Sequence, residues 1–252
     1  MSVVRCICVS LMLCFPFQLW AETVKLASLY WPPYSGKDLV QEGASVAVAR
    51  AAFKAMGHEL QVDYFPWPRA LAKAEESGSE YIGYFPEYFS PIVESRFIFS
   101  ESLGESPLGI IQLKSNPITW KGIMDLRQFR IGVVRGYVNT TEFDYAVARG
   151  MLKVDASVDD VMNLKKLLHK RVDGSVMDPH VMEYLVVTYD AFDHHEAEFE
   201  LNEHLLELKK LFVCFRKSQN GRKWADILNQ GLKKIDQGKI YHSVLNANKS
   251  GK

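Results

Sequence analysis

The chain is expected to be an α/β protein of two lobes with a cleft between them. Short apolar strand candidates alternate with amphipathic helix candidates along most of its length. The alternation comes in two sets, joined by extended apolar segments at 108–113 and 211–215. The chain has 252 residues, and the roughly 230 that follow an N-terminal apolar segment are enough to bury a sizeable core, as one domain or two small lobes.

That first segment reads as a secretory signal over residues 1–21. Arg5 supplies a short positive region, Cys6 to Trp20 is almost wholly apolar, and Ala21 is a small residue ahead of Glu22. The run is too short, and too soon followed by polar sequence, for a spanning helix. Cys14 follows Leu13, where a lipoprotein signal would carry a small residue. The expectation is an exported protein. Removing the signal leaves Cys214 as the single cysteine of four, so no intrachain disulfide can form, and apolar flanks point to a buried, inert thiol. It also leaves 29 Lys and Arg (30 less Arg5) against 30 Asp and Glu. That balance excludes a basic nucleic-acid footprint and a polybasic membrane arm.

In order, 24–28 is a short strand, and 45–56 is a helix with Val46, Ala49, Phe53 and Met56 on one face, stopped by Gly57. Residues 59–65 alternate as a strand. Helix 68–76 follows, with Pro68 in its first turn and Gly78 beyond its end. Strands are expected at 81–85 and 108–113. The second set has a strand at 131–134, a Gly136 turn and a helix at 140–149. A helix over 157–171 has Ser157 and Asp160 spaced as a capping box. A strand at 172–177, another at 211–215 and an amphipathic helix over 221–237, ending at Gly238, complete the pattern.

Several residues stand where these elements would deliver them to a ligand. Tyr30-Trp31-Pro32-Pro33-Tyr34 is a rigid aromatic turn directly after the first strand, so Trp31 and Tyr34 can wall a cleft or simply pack the lobe. Trp67 follows a strand and sits between two prolines, which pre-positions its ring. Arg69, in the first helical turn, is either a paired-hydrogen-bond clamp for a carboxylate or a solvated surface arginine. From Arg135 through Val138 to Thr140 a strand, a glycine turn and a helix start suit an anion through unpaired backbone N–H groups. His194, His195 and His204 lie among acidic residues without a closed ligand spacing, which reads as a solvated surface and no metal. No phosphate loop, zinc-protease motif or nucleophile elbow occurs.

Taken together, the segments resemble the family 3 extracellular solute-binding proteins, the periplasmic components of polar amino-acid ABC importers. The resemblance covers nearly all of the chain beyond residue 21. It is carried by Tyr30-Trp31-Pro32-Pro33-Tyr34, Pro66-Trp67-Pro68-Arg69-Ala70-Leu71, Phe97-Ile98-Phe99-Ser100-Glu101-Ser102, Ile123-Met124-Asp125-Leu126 with Ile131-Gly132-Val133-Val134-Arg135-Gly136, Val172-Asp173-Gly174-Ser175-Val176-Met177-Asp178, and Asn220-Gly221-Arg222-Lys223-Trp224, in the family's order.

The resemblance implies a two-lobed periplasmic binding protein fold. Lobe 1 would be 22–110 with 212–252, lobe 2 would be 111–211, and two crossing strands would form the hinge. It implies Trp67 stacked on the ligand, Asp178 paired with the ligand's amino group, and the loop of Arg135 and Val138 on its carboxylate. Asp178 has a second possible role, as the cap of the helix that Pro179 opens. The family's carboxylate-gripping arginine falls here on Val93, so Arg69 or Arg96 would have to replace it or the ligand must differ. Phe85, Pro86 and Tyr88 stand where the family has small polar residues, which brings Tyr88 to the ligand. The implied function is a monomeric carrier, without cofactor or catalysis, that delivers a small polar solute to a membrane permease. Two alternatives remain open. One is a dehydratase-like enzyme on the same fold, with Glu87, Asp178 or His180 as acid or base; the other is a ligand-sensing partner of a receptor.

Overall fold

The computed structural model describes residues 22–249, so the expected export signal at 1–21 lies outside the described residues. Strands β1 (Thr23–Ser28), β2 (Glu59–Tyr64) and β3 (Gly83–Tyr88) form a parallel set, with β1 in the middle. Strand β4 (Phe97–Phe99) is short, and β5 (Gly104–Leu113) is long. Strands β6 (Arg130–Val134), β7 (Lys153–Ser157) and β8 (Gly174–Met177) make a second parallel set, centred on β6. Strand β9 runs from Phe199 to Arg216. All nine belong to one sheet, ordered β2-β1-β3-β9-β5-β8-β6-β7, with β4 on β9.

The join between the sets is a single antiparallel ladder. Gly104 to Leu113 of β5 pairs with Leu211 back to Phe199 of β9, with register shifts around Gly109. The far end of β9 pairs with β3, and the far end of β5 pairs with β8. Among the described residues, no other strand pairing connects the two halves.

Helices cover both sets. In α1 (Ala44–Ala55), Val46, Ala49 and Phe53 are buried, as the apolar spacing predicts. Helix α2 (Trp67–Glu75) starts at Pro66 with Pro68 in its first turn, where the missing N–H costs nothing. Helix α3 (Pro91–Arg96) is capped by the Ser90 hydroxyl. Helices α4 (Thr141–Ala148), α5 (Asp160–Leu168) and α6 (Pro179–Thr188) start on the side chains of Thr140, Asp159 and Asp178. Helix α7 (Gln219–Leu232) starts on Ser218 and meets α1 so closely that a Cβ on Gly231 would stand 2.1 Å from the Ala52 carbonyl oxygen. Helix α8 (Gln237–Lys249) also packs on α1. Cys214 is fully buried in β9, next to the fully buried Phe215.

Three local expectations need correction. The helix expected over 221–237 ends at Leu232, and α8 follows, because Asp236 accepts the Lys239 N–H and opens a new helix. The helix expected from Ser157 begins at Asp160, because β7 holds Ser157 opposite Val134 and Asp159 is the cap. Part of the charged stretch around the histidines, from Phe199, is strand: β5 supplies a partner ladder that the charges conceal. Among the described residues, no helix is long and apolar enough to cross a membrane.

Candidate functional site

The carboxyl ends of both parallel sets converge. The chain leaving β1 supplies Leu29, Tyr30 and Trp31, that leaving β2 supplies Phe65, Pro66 and Trp67, and β3 ends in Glu87 and Tyr88. From the other half, the turn after β6 supplies Tyr137 and Val138, that after β7 supplies Val158, Asp159 and Asp160, and α6 after β8 supplies Val181. Ligands of open α/β sheets bind outside the carboxyl ends of strands, because the turns there can vary without disturbing the ladder. The cleft has two parts: an outer cavity of about 630 Å³ and a much smaller inner one of about 30 Å³. Trp67 lines both, and so do Trp31 and Tyr137.

Trp67 spans the two halves. Its ring is buried and meets Tyr84 and Tyr137 edge-on, at 5.4 and 5.9 Å between centroids. Its indole N–H donates to the Gly136 carbonyl at 3.0 Å. Gly136 has φ +83°, a left-handed turn that a side chain would strain. Trp31 stacks on Tyr34 at 4.5 Å and meets Tyr88 edge-on.

Three buried carboxyls lie at this convergence. Glu87 accepts the Tyr88 N–H at 2.8 Å and the Tyr84 hydroxyl at 3.0 Å. Burial pushes it up to about 8, against those two bonds and the attraction of Lys209. Asp160 accepts the Tyr137 hydroxyl at 3.2 Å, and burial pushes it up to about 7. Asp178 accepts the Tyr34 hydroxyl at 2.6 Å, the Ser106 hydroxyl, and the His180 and Val181 N–H groups. Burial raises it as well, although every one of these donors favours the charged form. Among the described residues, neither Glu87, Asp160 nor Asp178 is in an ion pair with a lysine or arginine. The nearby Lys209 ammonium lies over the Tyr88 ring at 5.5 Å and is held by Glu207 at 3.3 Å.

The sequence-derived residues divide accordingly. Trp31, Trp67, Tyr88 and Val138 line the inner cavity, and Tyr88 also shares a hydrogen bond of 2.6 Å with Ser106. Tyr34 is fully buried behind Trp31, on Asp178, and lines neither cavity. Asp178 has its oxygens committed to two hydroxyls and two helix N–H groups, so its capping role is the one visible in the geometry. The three arginines are exposed and line neither cavity, so of the two expectations, a substitute clamp or a different ligand, the geometry of this cleft favours the second. Arg69 lies over the Phe65 ring at 5.6 Å, and Arg96 is paired with Glu75. Arg135 follows β6 directly and is exposed.

Sequence reasoning passed over Tyr30, Phe65, Tyr137, Tyr189 and the Asp159–Asp160 pair as ligand contacts. Their signal was positional: most stand in the first residues after a parallel strand. His195 pairs with Glu198 at 2.6 Å, and among the described residues no three metal-ligating side chains cluster.

No protein-family model matches the chain, and no curated protein matches it. Solved structures do. An ancestral arginine-binding protein bound to arginine superposes with a TM-score of 0.70 at 18% identity, over 89% of this chain and 96% of its own. A histidine kinase sensor domain with similarity to periplasmic binding proteins gives 0.73 at 16%, over 88% and 93%. The ancestral amino acid-binding protein AncCDT-1, a precursor of cyclohexadienyl dehydratase, gives 0.66 at 17%, over 89% and 93%. The fold is that of the periplasmic binding proteins. At such identities the likeness concerns the path of the chain and not the ligand.

Proposed function

We propose that the protein is an extracytoplasmic solute-binding protein. Its lobes, 22–110 with 212–252 and 111–211, close over a small polar solute, and the closed form is presented to the permease of an ABC importer. The observation that carries this reading is the convergence of six parallel strand ends on one aromatic cleft, bridged by a single two-stranded ladder. A hinge so narrow lets the halves swing, and a solute touching both halves favours closure by its differential affinity. Trp31, Trp67, Tyr88 and Val138 are the proposed contacts. No chemistry on the solute is part of this reading, and the carrier is proposed to act as a monomer.

The likeness to a kinase sensor domain supports a second reading, in which the closed form docks on a signalling receptor. Protein recovered from the periplasm of an expressing bacterium tests the reading by thermal shift with amino acids, amines, organic acids and sugars. A solute at a hundred times its Kd adds about 2.7 kcal/mol, roughly 5–10 °C in Tm for a chain of this size. A solute that raises Tm and is recovered unchanged supports a carrier, whereas turnover would make the protein an enzyme. Silence across all classes, on protein shown by native mass spectrometry to carry no solute, overturns the reading. Loss of solute uptake in a deletion strain separates import from sensing.

A further inference from the structure

We infer that the cleft is built for an organic cation without a carboxylate, a guanidinium or alkylammonium compound seated in the outer cavity between Asp160 and the aromatic rings. This rests on the solute-binding reading and narrows its ligand. Four independent observations lead to it.

The outer cavity, about 630 Å³, is walled by the rings of Tyr30, Trp31, Phe65, Trp67 and Tyr137. Aromatic faces attract cations most when water is excluded, and among these rings that of Phe65 is already covered by Arg69 and Lys73. Into the same cavity come Asp159 and Asp160, the latter only 6% exposed and, among the described residues, in no ion pair. Glu87 lines the inner cavity, 5% exposed and equally without a cation paired to it. A buried acid without a counter-charge tends to keep its proton, and a cationic ligand beside it would favour the ionised form and gain a charge-assisted contact.

Among the described residues no lysine, arginine or histidine lines either cavity, whereas Asp159, Asp160 and Glu87 do. The Lys209 ammonium over the Tyr88 ring is already held by Glu207, and Arg69 lies over the Phe65 ring without joining the lining. Finally, part of the backbone anion site at the start of α4 is already filled from within. Asp144 accepts both the Asn139 N–H at 2.9 Å and the Asn139 side-chain amide at 2.8 Å.

The decisive probe pair is agmatine and L-arginine, which differ only by the carboxylate. Calorimetric titration of the purified protein is expected to give agmatine an affinity at least tenfold above that of L-arginine. Asp160→Asn should weaken agmatine at least tenfold. Tyr30→Leu removes a ring that is 41% exposed, so it should fold normally and still weaken agmatine several-fold, which keeps the test sound if Asp160→Asn is unstable. Equal or tighter binding of L-arginine, or agmatine binding untouched by both variants, overturns the inference. If agmatine fails while an amino acid or organic acid binds, the inference falls and the solute-binding reading stands. If nothing in the wider screen binds, both fall.

Discussion

Glu87 should make the protein lose stability as the solution turns from acid to neutral. Its carboxyl ordinarily titrates at 4.5 and is pushed up to about 8 by burial beside the cleft. A group whose folded pKa is raised binds its proton more tightly in the native state. The stability it confers is therefore complete below the unfolded value and is lost as pH rises towards the folded one. Linkage between those two values gives a loss of about 3 kcal/mol from pH 5 to pH 7.5 for this one group, taking 1.36 kcal/mol per pKa unit. At roughly 2–4 °C per kcal/mol, Tm should fall by roughly 6–12 °C over that range.

Glu87→Gln removes the titration and keeps a side chain of the same shape, whose carbonyl can still accept from Tyr84 or Tyr88. The assay is a series of urea unfolding curves from pH 5 to 8 on both proteins. The wild type should lose about 3.5 kcal/mol more than Glu87→Gln between the ends of that range. Asp160, pushed up to about 7, contributes equally to both proteins and cancels in the difference. Parallel pH profiles for the two proteins would refute the reasoning and would mean that Glu87 is hydrated or paired in solution.

The remaining predictions concern the contacts between the halves. Tyr34→Phe deletes the hydroxyl that donates to buried Asp178, and a hydrogen bond to a charged group is worth about 1.5–3 kcal/mol. Thermal unfolding should show that loss at neutral pH, and an unchanged Tm would mean that the Ser106 hydroxyl and the two helix N–H groups satisfy Asp178 alone. Trp67→Phe keeps the ring contacts with Tyr84 and Tyr137 but loses the bond to the Gly136 carbonyl. Losing about 1 kcal/mol of closure should shift the closed-to-open ratio roughly fivefold. Small-angle scattering of the unliganded variant should then give a larger radius of gyration than wild type; identical profiles would mean that the bond does not favour closure.

The amino-acid sequence determined the α/β class, the order of strands and helices, and which turns follow the strands. These depend on local periodicity, on proline and glycine, and on helix caps, all of which act within a few residues. Trp31 and Trp67 were legible for that reason, being rigid aromatic turns set at strand ends. The 18-residue β9 was half hidden, because a strand stabilised by its neighbour need not alternate cleanly and its charges mimic a solvated surface. The break between α7 and α8 turned on which helix claimed Asp236, a choice that packing on α1 helped to make.

Only the tertiary structure decided the charge of the cleft. Asp160 read as a helix-start residue, and folding places it, through α5, against Tyr137 beneath the aromatic rings. The arginines looked like clamps in one dimension, yet exposure is a property of three. Arg96 answers Glu75, 21 residues away, and Arg69 covers Phe65. Burial and long-range pairing fix where a charge can exist, and neither is encoded in the spacing of residues along the chain.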